Sequence, residues 1–180
     1  DAWLSADYNS AKMDTELGNY AAVIDELEPY AESDLPARYA DLRDLYESAC
    51  LLRAQELTAL GRPLDALPIL RRIPDNKTAK KRLEAYVYQI IGRWKDTRGT
   101  EYIFREDGSC RIAQEEGYFG GSGYEITVGS EPYPTTGAYS VVSVRGSTVT
   151  LRGLQSGKTI RLSYLGEATA KEESAGNPEN

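Results

Sequence analysis

Histidine is missing from this sequence altogether. Without an imidazole there is no Ser-His-Asp or Cys-His arrangement, no histidine zinc ligand and no side chain that ordinarily titrates near neutrality. Cysteine is scarce too. Cys50 and Cys110 are the only two, and two in a chain of this length do not make a disulfide framework. Cys50 sits in a helical pattern and Cys110 in a strand pattern, so both are expected as reduced, buried, small apolar residues. Long apolar runs are also lacking, and none approaches the roughly 18 residues that span a bilayer. No signal peptide opens the chain. It starts at Asp1 rather than Met, and the expectation is the extracytoplasmic part of a bacterial-type membrane-associated protein, with a cytoplasmic location as the alternative.

An excess of basic residues is absent as well. The net charge of −7 argues against nucleic acid as a partner, because phosphate binding needs a basic footprint. The charge is unevenly spread. Residues 1–50 hold 12 acidic and 3 basic side chains, net −9, whereas residues 51–92 hold 4 acidic and 8 basic, net +4. What remains, 41% hydrophobic and 27% charged over 180 residues, is the composition of an ordinary globular chain able to bury a core.

The apolar period changes once. Up to Ile91 the apolar residues recur every three or four positions, and from Gly92 onward they alternate, which separates a helical half from a β half. The spacing predicts a first helix over Leu4, Tyr8, Ala11 and Thr15 to Leu17, ended by Gly18. A second carries Tyr20, Val23, Ile24, Leu27 and Tyr30 on one face. A long third helix is predicted from about Pro36 to Leu60, capped by Asp34, with Tyr39, Leu42, Leu45, Tyr46, Ala49 and Leu52 inward. The fourth starts near Pro63, buries Leu64, Leu67, Leu70 and Ile73, and is expected to loosen at Pro68. The last runs unbroken from Lys77 to Ile91 with Leu83, Tyr86, Val87, Ile90 and Ile91 on one stripe.

Leu17-Gly18-Asn19-Tyr20-Ala21-Ala22-Val23-Ile24 with Leu27 aligns with Leu60-Gly61-Arg62-Pro63-Leu64-Asp65-Ala66-Leu67 with Leu70. This resembles the second-helix half of tetratricopeptide repeats. The resemblance implies a short stack of helical hairpins whose concave face takes a protein or peptide. A plain bundle of four or five helices accounts for the same pattern.

The β half shows six or seven short strands joined by tight turns, among them the Asp107-Gly108 hairpin signal between Phe104 and Cys110. A twisted antiparallel meander of this size closes into a small barrel or half-barrel. Gly92-Arg93-Trp94, followed by an aromatic strand and an Asp-Gly turn, resembles the opening of lipocalin-like domains. The resemblance implies that Trp94 closes one barrel end, that Arg152 or Arg161 packs across it, and that the domain binds rather than catalyses. In so small a barrel the side chains, Tyr102, Ile112 and Ile126 among them, are expected to fill the interior. The fold class expected is therefore α+β: a helical hairpin stack over 1–91, a small antiparallel barrel over 92–166 and a disordered polar tail over 167–180.

Two groups of residues are candidates for binding. Arg71, Arg72, Lys77, Lys80, Lys81 and Arg82 put six cations in twelve residues, suited to an anionic lipid surface, polymer or acidic protein. The cluster equally suits a solvated face balancing the acidic first fifty residues. In the β half, the glycine-rich stretch 117–124 reads as a wide hairpin loop. It lacks the strand-to-helix context and the Lys-Ser/Thr pair of a phosphate loop. Its Tyr118 and Phe119, together with Tyr133, are the candidate stacking residues for a sugar or peptide, or else aromatics folded back on the sheet. Glu115-Glu116 and Glu106-Asp107 are adjacent carboxylates that a strand turns to opposite faces, which is not the arrangement glycoside hydrolysis needs. No metal, cofactor or catalytic role is expected. The function expected is a non-enzymatic protein- or envelope-interaction module, monomeric or weakly dimeric. The alternative is a small-molecule, lipid or glycan binder using the barrel mouth.

Overall fold

The computed structural model describes residues 2–169, so the expected disordered tail lies outside the described residues beyond Thr169. The chain divides into two compact units, Asp1–Leu60 with Asp65–Leu83, and Gly61–Leu64 with Glu84–Asn180. The class is α+β, with helices first and a closed antiparallel barrel after them.

In the helical unit, α1 (Ala2–Leu17) and α2 (Tyr20–Leu27) form a hairpin around Gly18, whose φ of +75° is the left-handed conformation that ends a helix. Asn19 N–H reaches back to Asp14 O at 2.8 Å and Gly18 N–H to Thr15 O at 3.1 Å, so two of the last four carbonyls of α1 are satisfied by the turn. Leu4, Tyr8 and Ala11 of α1 are buried, as are Val23, Ile24 and Leu27 of α2. Each fully buried aliphatic contributes about 1.5–3 kcal/mol relative to exposure. Tyr8 and Tyr30 place their polar ends on carboxylates: the Tyr8 hydroxyl donates to Asp41 at 2.5 Å and that of Tyr30 to Asp7 at 2.7 Å.

The long third helix is shorter than the sequence predicts. A 3₁₀ turn at Ala37–Tyr39 precedes α3 (Leu42–Ala59), and Asp34 caps neither. Pro36, with ψ of 148°, is extended and sets the start of the turn. Inward positions on α3 are Leu42, Tyr46, Ala49, Cys50, Ala54 and Leu57, while Leu52 is exposed. The helix α4 (Pro63–Arg71) continues through Pro68, which lies on its exposed side.

The predicted final helix is broken in two. Asn76 caps α5 (Lys77–Arg82), its Oδ1 accepting from Thr78 N–H at 3.0 Å and Ala79 N–H at 3.1 Å. Ala85 then turns extended, with ψ of 141°, before α6 (Tyr86–Gln89). The stripe of Leu83 to Ile91 is thereby divided: Leu83 ends the helical unit, and Val87 and Ile90 are buried in the β unit.

The β unit is an eight-stranded closed up-and-down barrel, one or two strands more than the sequence indicates. Its strands are β1 (Gly92–Asp96), β2 (Glu101–Phe104), β3 (Ser109–Ile112), β4 (Glu115–Ser122), β5 (Glu125–Gly129), β6 (Gly137–Arg145), β7 (Thr148–Gly153) and β8 (Thr159–Gly166). Pairing of β8 with β1 removes both edges. The glycine-rich stretch is strand β4, not a loop. Its glycines are required by close backbones: a Cβ at Gly117 would lie 2.7 Å from Gly129 O, and one at Gly121 would run into Glu125 O.

Strand alternation and register place Trp94, Tyr102, Phe104, Cys110, Ile112 and Phe119 on the inward face, continued by Ile126, Tyr139, Val141, Leu151 and Leu162. Phe104 and Phe119 meet edge to face at 5.0 Å in the packed interior. Arg152 and Arg161 are exposed on the outer face, each adjacent to an inward leucine, so neither packs on Trp94. That role falls to Tyr164, whose ring stands edge-on at 5.1 Å.

Candidate functional site

The two barrel ends differ in what covers them. At one end the chain enters at β1 and leaves at β8, and here lie the turns β2–β3, β4–β5 and β6–β7. Helix α6 and the segment Gly61–Leu64 belong to the same unit and close this region. Tyr86 packs on Tyr124 of the β4–β5 turn at 5.4 Å. Tyr88 Oη donates to Pro63 O at 2.8 Å, and Trp94 Nε1 donates to Ile90 O at 2.7 Å. A side chain at Gly108 of the β2–β3 turn would meet Leu64 at 3.6 Å. The four connections β1–β2, β3–β4, β5–β6 and β7–β8 gather at the other end.

That other end is hollow. A cavity of about 530 Å³ opens there, lined by Cys110, Ile112, Glu115, Glu116, Val128, Tyr139 and Gly153, with Ser130, Thr136, Gln155 and Ser156 from the connecting loops. The volume falls in the range of small-molecule sites, about 300–1,000 Å³. Its origin is the distribution of side-chain size along the inward faces. Phe104, Phe119, Ile126, Val149, Leu151 and Leu162 fill the lower interior. Higher up, Cys110 pairs with Gly117 and Tyr139 pairs with Gly153, so small inward residues alternate with larger ones and leave space. Tyr102 and Ile126 are buried in the interior as the sequence suggests, while half-buried Ile112 lines the half-open cavity at this end.

Apart from the carboxylates Glu115 and Glu116, the titratable groups lining the cavity are held neutral. Burial pushes the Cys110 thiol up to about 11, against the opposing effect of the Arg105 guanidinium. Burial also raises Tyr139, and it lifts Tyr102, which faces inward beside Ile112, to about 12. Neither phenol makes a hydrogen bond among the described residues, so both retain donor capacity. The carboxylate at the lip is Glu115. It pairs in register with inward-facing Ile112, whereas Glu116 pairs with Arg111 on the outer face and accepts from buried Arg105 at 3.3 Å.

The residues proposed from sequence are scattered by comparison. Phe119 is buried in the barrel interior, 3% exposed, and Tyr118 is a half-buried residue of β4 facing outward. Tyr133 is exposed in the β5–β6 loop with φ of +58°, and the Arg62 guanidinium lies 4.7 Å from its ring centre. In the cationic cluster, Arg72 pairs with Glu28 at 3.3 Å and Lys80 with Asp75 at 4.0 Å. Arg82 donates to Leu51 O at 2.7 Å, tying α5 to α3. Arg71, Lys77 and Lys81 are exposed. Arg72, Lys80 and Arg82 are thus engaged by neighbouring groups of the helical unit. Among the described residues, no group of His, Cys, Asp and Glu is placed to hold a metal ion, and no helix is long and apolar enough to cross a membrane.

The cavity residues carried a signal that periodicity alone does not decode. Cys110, Ile112, Tyr139 and Gly153 sit at alternating positions of recognisable strands, but which of them face one another depends on register. No protein-family model matches the chain, and comparison with curated proteins and with solved structures finds no match either.

Proposed function

We propose that this is a non-enzymatic binding protein whose barrel takes a small molecule through its open end. One observation carries the reading: the interior is packed at the end covered by α6, whereas at the other a half-open cavity of about 530 Å³ is bounded by apolar side chains, polar loop residues and the carboxylates Glu115 and Glu116. A barrel with only a structural task gains nothing from an unfilled half, since each missing buried methylene forgoes contact energy. The neutral apolar dye N-phenylnaphthylamine tests it. Saturable one-site fluorescence enhancement is expected, lost in Val128→Trp and in Ser130→Trp, two substitutions that fill the cavity and its rim. Enhancement that does not saturate, or that both variants leave intact, rules the site out.

A second reading concerns the helical unit, proposed as the surface for a protein or peptide partner. Its support is α1, which leaves Trp3, Met13 and Leu17 at 81%, 66% and 79% exposure. Their spacing puts all three on one side of the helix. A photo-crosslinker at Met13 is expected to capture one partner, and capture is expected to fail with Leu17→Glu. Capture that Leu17→Glu leaves unchanged would remove this surface from consideration.

A further inference from the structure

We infer that the occupant of the barrel cavity is a small amphipathic cation, an apolar and preferably aromatic body bearing an amine. The inference rests on the reading of the cavity as a binding site and adds the charge of what enters it. No lysine or arginine lines the cavity. A carboxylate or phosphate placed there would leave water without a pairing charge, which is unfavourable. Cations do occur at the same end of the barrel, but their geometry takes them elsewhere. Arg105 is engaged by Glu116 at 3.3 Å, Arg111 faces the outer side and lies 4.0 Å from Glu101, and Arg98 and Lys158 are exposed loop residues that do not line the cavity.

Glu115 is the opposite case. It is on the inward face by its pairing with Ile112, it lines the cavity, and it has no hydrogen bond or ion pair among the described residues. The same cavity is lined by Tyr139, an aromatic of the kind that attracts a cation, and by the half-buried Ile112 and Val128, which suit an apolar body. An amine at the lip gains the carboxylate and remains partly hydrated, while its hydrocarbon displaces water from the walls.

Calorimetric titration of the full chain with phenylbutylamine, phenylbutanol and phenylbutyrate at low salt tests the inference, because the three share a body and differ in charge. The amine is expected to bind tightest, roughly three- to fivefold over the alcohol, as one partly exposed ion pair allows. The carboxylate is expected to bind weakest. Glu115→Gln, at an exposed position, is expected to bring the amine down to the alcohol and leave the alcohol unchanged. Equal binding of amine and alcohol in the parent chain, with both lost in Val128→Trp and Ser130→Trp, would overturn the charge inference and leave the cavity standing. Preference for the carboxylate overturns it outright. Failure of all three ligands to bind, or binding that neither filling variant affects, removes the cavity reading and this inference with it.

Discussion

Replacing Trp94 probes the closed end of the barrel. The side chain is 4% exposed, its Nε1–H donates to Ile90 O at 2.7 Å, and its ring meets Tyr164 edge to face at 5.1 Å. Truncation to alanine removes the contents of a packed site and typically costs about 3–5 kcal/mol. Trp94→Phe keeps an aromatic body against Tyr164 but leaves the Ile90 carbonyl without its donor. That omission costs about 1–3 kcal/mol where water cannot substitute. Against a total stability of about 5–15 kcal/mol for a domain, alanine leaves little folded barrel at 37 °C and phenylalanine leaves a folded, weakened one. Urea unfolding followed by far-ultraviolet circular dichroism measures the loss. Hydrogen exchange at Phe104, Val149 and Leu162 locates it in the β unit. Trp3→Ala, at a position 81% exposed, is the control and is expected to shift stability by less than about 0.5 kcal/mol. A cost below about 1.5 kcal/mol for Trp94→Ala, or an equal cost for the two Trp94 variants, would show that neither the packing nor the Ile90 bond acts as described.

Asn76 joins a helix cap to a neighbouring helix, since its amide also donates to Glu47 Oε2 on α3 at 2.7 Å. Asn76→Ala is expected to cost about 2 kcal/mol in urea unfolding of the helical unit. Asn76→Asp keeps the cap acceptor but sets two carboxylates together, and recovery of full stability in that variant would contradict the Glu47 contact. The Asn76 bond, with Arg43 beside it, holds the Glu47 carboxyl below its usual range. Its contribution is therefore present above the unfolded carboxylate value and is lost as pH falls through the lowered folded one, a loss that Asn76→Ala should reduce in an acid titration. At the alkaline side, burial raises Cys50 and Cys110 each to about 11. Both thiols stay neutral in the folded chain while the unfolded chain ionises them, so stability declines from about pH 9 to about pH 11. Flat stability across that window, or rapid modification of either cysteine by a thiol reagent at pH 8, would count against the buried neutral thiols.

Some of this architecture was legible residue by residue. Gly18 ends α1 because a left-handed residue is needed there, and glycine alone adopts it without strain. Asp107-Gly108 makes the β2–β3 turn for a similar reason: Asp107 Oδ1 accepts from Ser109 N–H at 2.8 Å while Gly108 takes φ of +84°. The opposed directions of Glu115 and Glu116 also follow from strand alternation. Other features were hidden. The glycine density of 117–122 looks like a loop until Gly129 and Glu125 are brought against it, since the need for a missing Cβ lies in another strand. The apolar stripe from Leu83 to Ile91 is continuous in helical period, yet its parts serve different units, and the chain breaks at Ala85 so that each can.

The sequence by itself determined the change from helical to strand period near Gly92, the places where the chain turns, and the lack of any imidazole to titrate near neutrality. These are local properties, set by backbone sterics and by side-chain spacing over a few residues. Only the tertiary structure decided that eight strands close on themselves, that Tyr164 rather than an arginine meets Trp94, and that Cys110, Gly117, Tyr139 and Gly153 leave one end of the barrel open. Closure, register and cavity depend on which residues distant in sequence face one another, and a one-residue slip of any strand would turn its inward set to solvent.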